Sequence, residues 1–169
     1  MWQQVIDTLG DEFSDLPDAT QWTRLLVRLG LAVLLGALIG YEREQRESAA
    51  GLRTHMLVAL GTALFVLVPQ QAGLSPADLS RVIQGIVAGV GFLGAGAVIK
   101  RAQSGEVHGL TTAAGIWATA AIGVAVGLGR EATAIASALI VVAILGLVLR
   151  LEKRAAANRL KAVEPPRGS

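Results

Sequence analysis

The stretch "YEREQRESAAGLRTH", residues 41–55, sets dense charge between two apolar runs. Its carboxylates Glu42 and Glu44 are groups that a hydrated Mg²⁺ could use, since that ion keeps several waters and takes one or two carboxylates. Yet Arg43, Arg46 and Arg53 stand among Glu42, Glu44 and Glu47, so the local charge is balanced and offers little to a dication. The spacing favours another arrangement. Glu42 with Arg46 and Arg43 with Glu47 are i,i+4 pairs, which predict a helix continuing past the membrane and a salt-bridge network closing one end of a bundle. Gly51 is then the point where the chain turns back. Arg53 and Thr54 lead to His55, read as an interfacial donor at the mouth of the next span. With His108 it makes two imidazoles, a weak basis for a metal site without nearby Cys or Asp.

A second polar group lies at Asp78, Arg81 and Gln84, whose spacing of three places them on one helix face. "SPADLS" reads as a helix start, with Ser75 as cap, Pro76 in the first turn and Asp78 near the positive end of the helix dipole. Arg81 and Gln84 should face protein or water at that depth, and Arg28 is placed with them in an Arg28–Asp78–Arg81 cluster. Thr111 and Thr112 are expected to cap the helix they open, an end that could also receive an anion or a partner's carboxylate. Trp117, Thr119, Thr133 and Ser137 are assigned to packing and interhelical hydrogen bonds. No nucleophile–base pair, phosphate loop or run of metal ligands occurs, so catalysis is not expected.

These groups must be held by apolar elements. The chain has 169 residues, 53% hydrophobic and 17% charged, with a mean hydropathy of +0.55. Uncharged runs extend from Thr54 to Ala77, Val82 to Ile99, Leu110 to Gly129 and Ala132 to Leu149. About 20 apolar residues cross the hydrocarbon core as a helix. A further run, Arg24 to Tyr41, is interrupted by Arg28, which with Arg24 can snorkel toward the headgroups beside Trp22. The expectation is an all-α membrane protein with five transmembrane helices. Residues 1–23 form an acidic segment unlike a signal peptide, 24–150 the membrane domain and 151–169 a basic tail. The absence of cysteine removes disulfides and thiolate metal sites. The basic residues fall where membrane topology wants them, so nucleic acid is not expected as a partner.

Placing the N-terminus outside puts eleven of the fifteen Lys and Arg in cytoplasmic segments. Only Arg24, Arg28, Arg81 and Arg130 remain outside, so the positive-inside rule favours a cytoplasmic C-terminus. The stretch "LRLEKRAAANRLKA" is read as a helix running into the cytoplasm.

Glycine is the other signal. Gly36 with Gly40, Gly85 with Gly89 and Gly123 with Gly127 are GxxxG pairs, and Gly91, Gly94 and Gly96 enlarge the small surface of the third span. In lipid, small residues let helix backbones approach closely. The third span is therefore expected to be central, with neighbours on more than one side. A break near Gly89–Gly96 that bares carbonyls to an ion path is the alternative.

Four stretches in order, "GALIGYERE" (36–44), "AGLRTHMLVALGTALF" (50–65), "RVIQGIVAGVGFLGAG" (81–96) and "GLTTAAGIWATAAIG" (109–123), resemble the MgtC/SapB family of bacterial inner-membrane proteins. The resemblance implies about five helical spans and a link to magnesium limitation, acid stress or intracellular survival. It marks Glu42, Arg43, Glu44, Gly51, Leu52, Arg53, Thr54 and His55 as motif positions, and its later stretches contain Arg81, Gln84, Gly91, Gly94, Gly96, Thr111 and Thr112. For this family, magnesium transport and regulation of partners such as the membrane ATP synthase have both been suggested. Longer members carry a cytoplasmic domain after the last helix; with 19 residues after Arg150, this chain resembles the short, membrane-only branch.

Two functions are thus expected of the sequence. One is a non-enzymatic inner-membrane protein without a cofactor, assembling through its glycine faces as a homo-oligomer, with a dimer favoured, and contacting membrane partners. The other is a magnesium or other cation transporter or channel, with Gln84, the Gly89–Gly96 backbone and the Thr-rich fourth span as its path.

Overall fold

The computed structural model describes residues 1–12, 14, 18–99 and 109–148, and these are helical with short connections. The elements are α1 (Trp2–Glu12), α2 (Ala19–Glu44), α3 (Leu52–Gln71), α4 (Pro76–Ile99), α5 (Leu110–Gly127) and α6 (Glu131–Ala143), the last continuing into a π-helical turn at Ile144–Val148. Helices α2 to α5 are each long and apolar enough to cross a membrane. The fifth expected span corresponds to α6 and its π turn, an apolar but shorter helix within the described residues. Lys100, Arg101, His108 and the basic tail lie outside the described residues.

Local signals place most helix ends. Asp18 caps α2 by accepting from the Gln21 amide at 2.7 Å. Ser75 caps α4 as expected, its hydroxyl accepting from the Asp78 amide at 3.2 Å and donating to the Asp78 carboxylate at 2.6 Å. Helix α5 departs from expectation: its N-cap is Gly109, at a φ of 96° that favours glycine, with no side-chain cap from Thr111 or Thr112. Helix α1 carries Trp2, Val5, Ile6 and Leu9 on one face, all exposed. Scanning for long uncharged runs misses such a helix, because its apolar residues recur at i, i+3, i+4 and i+7.

The core is built where α2, α3 and α5 meet. A Cβ on Gly36 would lie 2.6 Å from the His55 carbonyl oxygen, and one on Gly40 would lie 2.7 Å from Leu52 Cα, so α2 rests directly on the α3 backbone. On the other side of α3, a Cβ on Gly127 would come within 2.7 Å of the Ala63 carbonyl, and one on Gly123 would collide with Thr62 and the Ala59 carbonyl. Ala32, Ala59, Ala63, Ala134 and Ala138 fill the same layers, each fully buried. Two of the three GxxxG pairs therefore mediate backbone approach, as small residues do in lipid.

The third pair does not. Helix α4 is unbroken from Pro76 to Ile99, and it leans chiefly on α5. A Cβ at Gly85, Gly89, Gly91 or Gly96 would meet nothing within 4 Å; of the glycine cluster only Gly94 packs, on Ala113. The central helix is α5, not the glycine-rich third span: half of α5's apolar window is buried inside the chain, against 17% for α4. The reason is geometric. Glycine spacing reports that a backbone can come close, while the neighbour's identity depends on how the other helices cross.

These contacts separate the glycines experimentally. Gly36→Ala and Gly127→Ala should each destabilise the bundle by roughly 1–3 kcal/mol through overpacking. Gly89→Ala should be neutral or stabilising by up to about 1 kcal/mol, since alanine is the better helix former. Unfolding in mixed micelles by SDS titration measures all three.

Candidate functional site

The charged loop end of α2 folds back onto α3 and α5. Glu42 accepts from Arg43 Nε at 2.8 Å and from Arg46 Nε at 3.2 Å, so one carboxylate holds two guanidinium groups. Arg43 is 6% exposed, a cation folded into the bundle with Glu42 as its ion-pair partner. Glu44 has a different task. Its Oε2 accepts from the Leu52 amide at 2.7 Å, supplying the side-chain cap that N-cap Gly51 lacks at the start of α3. A Cβ on Gly51 would strike that carboxylate, which explains glycine there better than the turn alone does.

One turn into α3, His55 is fully buried, not an interfacial donor as its position suggested. Its Nδ1 lies 2.8 Å from Thr119 Oγ1, and that hydroxyl lies 2.8 Å from the Gly115 carbonyl. A carbonyl only accepts, so the hydroxyl proton points to Gly115 and the imidazole carries its proton on Nδ1. The ring packs over Gly115, where a Cβ would sit 3.5 Å from His55 Cε1 and 4.0 Å from Arg43 Cδ. Closer to the loop, Ser48 and Thr112 share a hydrogen bond at 2.9 Å. A polar column thus descends from Glu42 and Arg43 through Thr112 and Ser48 to His55 and Thr119, tying α2 and its following loop to α3 and α5.

The motif positions divide between two ends. Glu42, Arg43, Glu44, His55 and Thr112 belong to the column. Arg53 and Thr54 are exposed and line a groove between α3 and α4, while Thr111 faces another between α5 and α6. Asp78 and Arg81 sit at the opposite end, where α4 begins, and Gln84 is exposed on α4. The expected Arg28–Asp78–Arg81 cluster is not formed. Arg28 instead donates to the Gly127 carbonyl at 3.1 Å and to Gln70 Oε1 at 3.3 Å, and pairs with Glu131 at 3.5 Å. Glu131 and Gln70 were overlooked because each closes a loop in space, and nothing local in sequence links them to Arg28. Thr119 was legible only as a hydrogen-bonding residue inside an apolar run.

Among the described residues no three His, Asp or Glu side chains gather as a metal site. Of the two carboxylate candidates, Glu42 is committed to two arginines and Glu44 to a backbone amide. A Mg²⁺ at either would have to displace those partners.

Four apolar helices of spanning length, three of them packed on glycine and tied by a polar column, define a polytopic α-helical membrane protein. The chain belongs to the MgtC family, whose sequence profile matches residues 29–154. It is 51% identical over 119 residues to protein SrpB of Synechococcus elongatus, covering 64% of this chain and 65% of that protein. It is 46% identical over 116 residues to protein MgtC of Salmonella typhimurium, covering 69% of this chain and 48% of MgtC. YhiD of Escherichia coli strain K12, whose name proposes a magnesium transporter, is 45% identical over 114 residues, 62% of this chain and 51% of YhiD. The match thus spans about half to two thirds of these relatives. No solved structure matches the chain.

The column makes distinct predictions for its members. Glu42→Gln removes the carboxylate that pairs with the buried Arg43 guanidinium and should cost roughly 3 kcal/mol of stability. Thr119→Val preserves shape but strands the His55 N–H and should cost about 1–2 kcal/mol. Thr54→Val, at an exposed position, should change stability by less than about 0.5 kcal/mol. Thermal unfolding of the three purified variants in one detergent orders them.

Proposed function

We propose that this chain is a non-enzymatic protein of the bacterial inner membrane that acts by lateral helix contact. It pairs with a second copy through α3 and α4 and regulates membrane partners during adaptation to magnesium limitation, acid stress or life inside a host cell. The observation that carries this reading is the open face of α4. Between α3 and α4 runs an apolar groove of about 660 Å³ whose floor includes Gly61, Gly85 and Gly89. A Cβ on any of those three would meet no neighbouring atom within 4 Å. Small residues facing lipid gain nothing there, whereas against another helix they allow backbone contact.

Transport of magnesium is the second reading, and the name borne by YhiD favours it. The geometry speaks for lateral contact over transport. Helix α4 is continuous through Gly89–Gly96, so no carbonyl is freed along it to line a path. The acidic groups of the polar column are committed to Arg43, Arg46 and the start of α3.

The absence of native cysteine makes the test clean. Gly89→Cys should form disulfide-linked dimers in native membranes under mild oxidation, whereas Leu26→Cys, on the exposed face of α2, should not. The same purified protein in proteoliposomes should give no Mg²⁺ uptake above empty vesicles. Uptake abolished by Gln84→Leu in a folded variant would establish transport, and failure of Gly89→Cys to cross-link would remove the α4 interface.

A further inference from the structure

At the end of the bundle where α2 begins, two polar stripes face each other. On α2, Gln21, Arg24, Leu25 and Arg28 recur at i, i+3, i+4 and i+7 and so share one side. Opposite them α3 ends in Leu67, Gln70 and Gln71. Together these seven residues line a pocket of about 390 Å³, well within the size range of small-molecule sites. Unlike the α3–α4 groove, its wall is mainly polar, and its two formal charges are both positive.

The pocket is held open by a built structure. Arg28 is fixed by the Gly127 carbonyl, Gln70 and Glu131, so α2, α3, α5 and α6 all anchor one guanidinium. Helix α5 ends in a Schellman motif, with Arg130 N–H bonded to the Ala125 carbonyl and Gly129 N–H to the Val126 carbonyl. Gly129 takes a φ of 72°, and a Cβ there would collide with the Arg28 guanidinium. Arg24 is different: it is exposed and makes no hydrogen bond or ion pair among the described residues. It points a free fork of donors from the same stripe as an arginine already locked in place.

From this arrangement we infer that the Gln21–Arg24–Arg28–Gln71 pocket binds a phosphate-bearing anion. Two arginines against the single carboxylate of Glu131 leave one net positive charge, which matches a phosphodiester. Guanidinium groups take phosphate oxygens in pairs, and the Gln21 and Gln71 amides add donors without adding charge. A cation is excluded by the same two arginines. Leu25 and Leu67 provide an apolar floor, and Trp22, half exposed one residue along from Gln21, belongs at headgroup level. The phosphate can therefore come from a phospholipid headgroup or from soluble phosphate. The site is independent of the α3–α4 interface and stands whether or not that face pairs.

The test uses the full chain purified in mild detergent from nanodiscs of phosphatidylcholine with phosphatidylglycerol. Native mass spectrometry counts retained phospholipid for wild type, Arg24→Gln, Gln71→Glu and Arg81→Gln, the last removing an exposed arginine at the same end but outside the pocket. Loss of one charge-assisted pair should lower occupancy about tenfold in Arg24→Gln, and Gln71→Glu should lower it at least as far. Arg81→Gln should match wild type. In parallel, delipidated protein is titrated with inorganic phosphate and followed by thermal unfolding. Lipid retention lost in both pocket variants assigns the headgroup; a phosphate-dependent rise in Tm that Arg24→Gln abolishes assigns the soluble anion. Pocket variants that retain lipid like Arg81→Gln, with no phosphate-dependent shift in any of the proteins, overturn the proposal. All three substituted positions are exposed, so circular dichroism should show native helix content throughout.

Discussion

The bundle rests on backbone-to-backbone contact between α3 and its two neighbours. Gly36 and Gly40 bring α2 onto one side of α3, and Gly123 and Gly127 bring α5 onto another. Without water to drive apolar burial, helices in lipid gain by van der Waals packing at short range, and that range is reached only where side chains are absent or small. Alanines complete the layers, and the larger side chains Leu26, Leu34, Phe65 and Leu139 turn outward. A core this thin in side chains leaves little slack, because the wall that a new methyl would meet is mostly backbone.

That closeness governs the polar groups as well. His55 fits inside because Gly115 leaves room beside its ring and Gly40 beside its Cβ, and Thr119 supplies the partner its N–H needs. Arg43 enters the same layer with Glu42 beside it. Buried ion pairs contribute little net stability but are costly to break in half. The column therefore acts more as a register mark than as glue, fixing how α2, α3 and α5 align. At the other end Arg28 plays the matching part, reading a carbonyl, an amide and a carboxylate from three different elements.

Two polar ends and one open apolar face summarise what the chain offers to its surroundings. The ends differ: at one, Glu42 holds both Arg43 and Arg46, while at the other Arg24 makes no ion pair among the described residues. The open face lies on α4, whose Gly85 and Gly89 are spaced as the pairs of α2 and α5 are, yet a Cβ on either would meet nothing within 4 Å. A protein of the MgtC family thus presents lipid-level surfaces on which partners can be sought.

By itself the sequence determined that the chain is helical and membrane-spanning, because long uncharged runs admit few other structures in lipid. It determined the cap at Ser75, the pairing of Glu42 with Arg46, and the family, all of which rest on residues close along the chain or on ordered motifs. It determined that α2, α4 and α5 carry faces capable of close approach. Only the tertiary structure decided which of those faces are used. It made α5 central and left α4 at the edge, buried His55 against Thr119, and gave Arg28 to Glu131, not Asp78. Each of these joins residues at least 42 positions apart. Periodicity tells which side of a helix a residue is on, but the crossing of helices tells what that side meets.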